Sequence, residues 1–127
     1  TQIGKLLNHI KAETNHNHIR AAVFIGDAFE EELDDVAQTA GELGLLGCPL
    51  FMFQEGKLQP AKDAFTQLAK LSGGAYCQFD SGSVQQLRDL MRGVAAYAAG
   101  GRGALVRLAQ THGNKRAQLL ADQIRPS

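Results

Sequence analysis

One carboxylate, Asp27, lies at a position where α/β proteins commonly bind ligands, the carboxyl end of a strand. It directly follows an apolar run, Ala21 to Gly26, which has the length and composition of a strand buried on both faces. In open α/β sheets ligands bind at the carboxyl ends of strands, so this residue is either a site residue or the cap of the next helix. A carboxylate suits a hard cation such as Mg²⁺, whereas the spacing of Asp27 and Glu30 is that of a capping box. The two roles are compatible, and both stay open.

The other polar candidates indicate no catalytic site. His16 and His18 lie in a polar turn, where we expect them to be solvated, and the strand separates them from Asp27 by roughly 20 Å. The glycines of 100–103 lack the preceding strand and the Lys-Ser/Thr pair of a phosphate loop, so we expect a flexible linker there. His112 is isolated, and no Ser-His-Asp or Cys-His set falls at strand ends. We therefore expect a binding protein and not an enzyme.

Composition and charge limit the kinds of protein and of partner that we expect. The 127 residues are 44% hydrophobic and carry 13 basic and 13 acidic side chains, so no net charge favours nucleic acid or an anionic membrane. No apolar stretch approaches the roughly 20 residues of a spanning helix. Cys48 and Cys77 lie in apolar surroundings and are expected to be buried free thiols, which favours a reducing, cytoplasmic compartment. We expect one soluble domain, or part of one, with neither a nucleic-acid nor a membrane partner.

Apolar spacing predicts an alternation of helices and strands. Strands are expected at Ala21–Gly26, Pro49–Phe53 and Ala75–Phe79, the last an outer strand, with amphipathic helices before, between and after them. Ser83 with Gln86 forms a capping box that starts the fourth helix. This order predicts an α/β fold with a doubly wound, mainly parallel sheet flanked by helices, Rossmann-like in class. We assign residues 1–99 to this domain and 100–127 to a C-terminal helical tail.

Several of these segments together resemble the second half of a von Willebrand factor A (VWA) domain of bacterial type. The resemblance rests on the strand ending in Gly26-Asp27, on Gly47-Cys48-Pro49 before a strand, and on Leu68-Ala69-Lys70-Leu71-Ser72-Gly73-Gly74-Ala75-Tyr76. It covers about residues 1–98. It implies that residues 1–99 are a partial VWA-like domain that lacks its N-terminal strands.

The resemblance also implies a metal site. Such domains bind a divalent cation through three loops, and Thr1 and Asp27 match the ligands of the second and third loops. The first loop, aspartate-x-serine-x-serine, has no counterpart among these residues, so weak binding of Mg²⁺ or Mn²⁺ is expected. The implied function is a protein-interaction module whose cation accepts an acidic side chain of a partner. A small-ligand or enzymatic α/β domain that uses Asp27 at the strand end is the alternative.

The same resemblance places the strand Ala21–Gly26 beside a first strand that this sequence does not contain. Its edge is then apolar and unpaired, and no lysine, proline or inward charge blocks it. We expect self-association, or pairing with a separate N-terminal half.

Overall fold

The computed structural model describes residues 3–14 and 16–125 of the chain. They form α1 (Ile3–Thr14), β1 (Ala22–Gly26), α2 (Leu33–Leu45), β2 (Leu50–Glu55), α3 (Gln59–Ser72), β3 (Ala75–Phe79), α4 (Val84–His112) and α5 (Lys115–Gln123). The predicted alternation of helices and strands is confirmed, with boundaries that move by a few residues. No helix in the described ranges combines the length and the apolar character needed to cross a membrane.

The three strands make one parallel sheet in the order β1-β2-β3. Val23 of β1 pairs with Phe51 of β2, which in turn pairs with Ala75 of β3. The central strand is buried on both faces up to Gln54, as its uninterrupted apolar sequence requires. β3 is an outer strand as predicted, and β1 is the other edge of the sheet in the part of the chain described.

Helices cover both faces of the sheet. α1, α2 and α3 pack on one face with Phe24, Leu50 and Met52, and α4 and α5 pack on the other with Phe51 and Phe53. Alternate residues of β2 thus supply two separate cores, because successive side chains of a strand point to opposite faces. The prediction of an α/β fold with a parallel sheet flanked by helices is confirmed at this level.

The Ser-Gly-Gly sequence at the end of α3 joins that helix to β2. The Ser72 hydroxyl accepts a hydrogen bond from the Leu50 amide at 2.9 Å and donates one to the Ala69 carbonyl at 3.0 Å. Gly73 ends the helix with φ 78°, a left-handed conformation that favours glycine. At Gly74 a side chain would collide with β2, since a Cβ there would lie 1.9 Å from the Leu50 carbonyl oxygen. This motif therefore has a structural role in the packing of α3 against the sheet.

The glycines of 100–103 do not form the flexible linker predicted from the sequence. They lie within α4, which is kinked by the non-helical backbone of Gly100 and Gly101. After the kink Arg102 donates hydrogen bonds to the carbonyls of Ala121 and Ile124. Leu105 and Leu120 are fully buried in the same core as Phe51 and Phe53. The chain turns back at this kink because the apolar side chains that follow it are buried against the second face of the sheet.

Candidate carboxylate site at the strand ends

Asp27 lies at the carboxyl end of β1 and is exposed. The suggestion that it caps the next helix is wrong, because α2 begins at Leu33 and its N-cap residue is Glu32, which makes no side-chain capping bond. Helix α2 begins later in the sequence than predicted because the ring of Phe29 packs edge-on against Phe65, with centroids 6.5 Å apart. That contact holds the segment after Asp27 against the core as a loop. Within the described residues the Asp27 carboxylate accepts no hydrogen bond, and its role as a metal ligand stays a prediction.

Glu31 joins this loop to the start of α1, a contact that the sequence pattern did not predict. Its carboxylate accepts hydrogen bonds from the amides of Ile3 at 2.5 Å and Gly4 at 3.0 Å. The first amides of a helix have no partner within the helix and carry partial positive charge, so an acidic side chain stabilises them. Sequence alone could not single out Glu31, because Glu30, Glu31 and Glu32 are identical neighbours and nothing nearby in the sequence distinguishes them. The contact brings the β1–α2 loop and the first turn of α1 to the same edge of the sheet.

Thr1, the other predicted ligand, lies outside the described residues. Within residues 3–14 and 16–125, no group of three or more His, Cys, Asp or Glu side chains could hold a metal ion. Of the predicted pair the structure thus places Asp27 alone. A divalent cation bound there would take most of its ligands from water, because Mg²⁺ demands six oxygens.

Concave regions lie beside the α2–α3 layer in the described part of the chain. A small cleft of about 330 Å³ runs between α1 and α2 and is lined by Glu31, Glu32 and Asp35. A larger groove of about 920 Å³ is lined by Gly47, Pro49 and Gly74, residues that precede β2 and β3. The larger space therefore lies at the amino ends of the strands, away from Asp27. The small cleft, by contrast, is lined by Gly4 and Glu31, the two residues that join the first turn of α1 to the β1–α2 loop.

The remaining sequence candidates are histidine and cysteine side chains. His16, His18 and His112 are exposed. Cys48 and Cys77 are buried and free, as predicted, and burial raises the pKa of both thiols, although Arg116 acts against this at Cys77. A nucleophilic cysteine requires the opposite shift.

A polar pair near the end of β2, the buried Gln54 and the half-buried Tyr76, is joined by a hydrogen bond. Gln54 is completely buried, and its Oε1 accepts a hydrogen bond from the Tyr76 hydroxyl at 2.5 Å. Its Nε2 donates to the Leu58 carbonyl at 2.9 Å, which fixes the turn before α3. Because both ends of the amide are satisfied, Gln54 has a structural role.

Comparison with known protein families, with curated proteins and with solved structures finds no match for this chain. The described residues form an α/β domain with a parallel three-stranded sheet between two helical layers.

Proposed function

We propose that this chain is part of a protein-interaction module of the VWA type. A divalent cation at the carboxyl ends of the strands accepts an acidic side chain from another protein. The observation that supports this is the position of Asp27, which is exposed at the end of β1 in a loop that Glu31 ties to the first turn of α1. In sequence, Thr1 precedes that turn.

The chemistry of the two proposed ligands suits Mg²⁺ or Mn²⁺. A carboxylate from Asp27 and a hydroxyl from Thr1 are hard oxygen ligands, and Mg²⁺ commonly keeps several waters beside one or two carboxylates. Water on the remaining positions can be exchanged for a carboxylate of the partner. Two protein ligands hold the ion weakly, so affinity for the partner depends on both proteins.

The alternative, an enzymatic or small-ligand domain that uses Asp27, has less support. Such sites are concave and bury most of their ligand. Here the larger groove lies at the opposite ends of the strands, and Asp27 is exposed.

Paramagnetic Mn²⁺ provides the test, because it broadens the NMR signals of amides near its binding site even when binding is weak. We expect millimolar Mn²⁺ to broaden amides of the β1–α2 loop and of the first turn of α1, and excess Mg²⁺ to reverse this. Asp27→Asn should remove the localised broadening. Asp122→Asn is the matched control, since Asp122 is an exposed aspartate on α5.

Two results would contradict the proposal. One is broadening that persists in Asp27→Asn, and the other is broadening spread evenly over acidic surface residues. Calorimetry should show no binding tighter than about millimolar, as expected for an ion with few protein ligands.

A further inference from the structure

Helix α4 reverses its direction partway along its length. A Cβ placed on Gly93 would lie 3.3 Å from a methyl group of Leu105, whereas in a straight helix these two residues would be about 18 Å apart along the axis. Nearer the end of the chain, the side-chain amide of Asn114 donates a hydrogen bond to the Asp89 carbonyl at 3.1 Å. Residues 102–125 therefore fold back along the first half of α4, and we call them the C-terminal hairpin.

The reversal takes place at two glycines. Gly100 (φ −147°, ψ 16°) and Gly101 (φ 71°, ψ −164°) are the residues of α4 with non-helical backbone. The conformation of Gly101 lies in a region that is essentially open to glycine alone. A Cβ on Gly100 would also lie 2.8 Å from the Cβ of Ala104, while in a straight helix residues four apart have their Cβ atoms about 5–6 Å apart. A change of backbone conformation at these two residues thus makes α4 one straight helix of 29 residues.

The C-terminal hairpin is held together by its own contacts. The Nε atom of Arg102 donates hydrogen bonds to the carbonyls of Ala121 at 3.1 Å and Ile124 at 3.0 Å. These bonds join the first residue of the hairpin to its last turn. All three residues follow the two glycines in sequence, so the bonds persist when the backbone of the glycines changes. The hairpin can therefore move as one unit.

The contacts between the hairpin and the sheet are specific. Leu120 is fully buried in the same core as Phe51 and Phe53. The side-chain amide of Gln123 accepts a hydrogen bond from the Tyr76 N–H and donates one to the Tyr76 C=O, both at 2.8 Å. A hairpin detached from its sheet would expose this apolar surface to water, which is unfavourable. The same set of contacts is offered by the sheet of a second copy of this chain.

We propose that the two glycines of α4 form a hinge that decides whether the C-terminal hairpin packs on its own sheet or on that of a second copy. In the exchanged dimer each α4 is straight, and each hairpin makes the contacts of the monomer on the other chain. Such an exchange alters the structure mainly at the hinge, so the backbone preferences of residues 100 and 101 set the balance. Glycine favours the folded-back monomer, because it adopts the reversed conformation freely and is a poor helix former.

Substitution of the hinge should reverse this balance. Alanine in place of Gly101 is strained in the monomer and favoured in the straight helix, and each dimer contains two hinges. We expect Gly101→Ala to raise the association constant of the dimer about a thousandfold or more, measured by sedimentation. Gly100→Ala should act in the same direction, because its methyl group would meet Ala104 in the monomer alone.

Gly103→Ala is the matched control. Gly103 is helical on the far side of the hinge, and a Cβ there would lie 3.5 Å from the Arg107 guanidinium, an ordinary contact. The added methyl favours the helix equally in both forms, so this variant should sediment as a monomer like the parent chain. All samples contain EDTA, which keeps the result independent of the proposed cation site. A Gly101→Ala chain that stays monomeric, whether folded or destabilised, would overturn the proposal.

NMR of a mixed dimer tests the exchange itself. Isotope-labelled and unlabelled Gly101→Ala chains are refolded together, and signals that arise between labelled and unlabelled chains are selected. The contact between Gly93 and the Leu105 methyl group crosses the hinge, so in the exchanged dimer it joins different chains and should give a nuclear Overhauser effect between them. A dimer in which this contact is found within single chains would show that another surface is used and would refute the hinge.

Discussion

Substitution of Gly74 by alanine should destabilise the fold strongly, because the added methyl group has no space. The new Cβ would lie 1.9 Å from the Leu50 carbonyl oxygen and 2.7 Å from its amide nitrogen, whereas ordinary contacts begin at 3.4 Å. These atoms belong to the backbone of β2, so no side-chain rotation relieves the overlap. The start of β3 would have to move from β2 by more than about 1 Å in a close-packed interior.

Two contributions make up the expected loss in the free energy of unfolding of Gly74→Ala. Overpacking of a rigid site costs about 1–3 kcal/mol or more, and the displaced Leu50 amide loses about 1 kcal/mol of its hydrogen bond to Ser72. We expect the free energy of unfolding to fall by about 3–4 kcal/mol. For a domain of this size, that corresponds to a Tm lower by roughly 12–15 °C.

Urea and thermal unfolding followed by circular dichroism provide the assay, with Gly41→Ala as the matched control. Gly41 lies within α2, and a Cβ there meets nothing within 4 Å, so this variant should gain about 0.5–1 kcal/mol from helix propensity. A Gly74→Ala protein within about 1 kcal/mol of the parent would refute the close approach of β3 to Leu50. A loss of equal size in Gly41→Ala would show that any added methyl is harmful.

Two further predictions concern the buried groups. Ser72→Ala should lower the free energy of unfolding by about 1–3 kcal/mol, because the Leu50 amide loses its acceptor; equal urea midpoints for variant and parent would contradict this. Stability should also fall as the pH rises above 9.0, the ordinary pKa of a cysteine thiol, because Cys48 and Cys77 have raised pKa values and retain protons that the unfolded chain releases. Urea midpoints measured across this pH range should fall less steeply in the double variant Cys48→Ala/Cys77→Ala, and an identical slope would contradict the assignment.

The strands and most helices could be predicted from the sequence because their signals are local. The run Leu50 to Phe53 is apolar at every position, and such a run has few places in a fold except a central strand. The N-cap at Ser83 was also predictable, and its side chain accepts the Gln86 amide at 3.3 Å. The Gln86 side chain does not close the predicted box, however, and binds Asp80 instead.

The contacts that shape the candidate site could not be predicted, since they join residues distant in sequence. Glu31 reaches Ile3 across 28 positions, and local patterns contain nothing that distinguishes it from the adjacent glutamates. Because Phe29 packs against Phe65, the segment after Asp27 is a loop and α2 begins only at Leu33. The capping-box spacing of Asp27 and Glu30 therefore predicted the wrong start for this helix. The glycines at 100–103 were similarly mistaken for a linker, because the burial of Leu105 outweighs their intrinsic flexibility.

The side chain of Gln123 does for one residue of β3 what a neighbouring strand would do. Its amide accepts a hydrogen bond from the Tyr76 N–H and donates one to the Tyr76 C=O, both at 2.8 Å. The last turn of α5 is therefore held against the edge of the sheet by the backbone groups through which β3 would pair with a further strand. Unwinding of that turn would release both groups at once, so the stability of the end of α5 and the protection of Tyr76 are lost together.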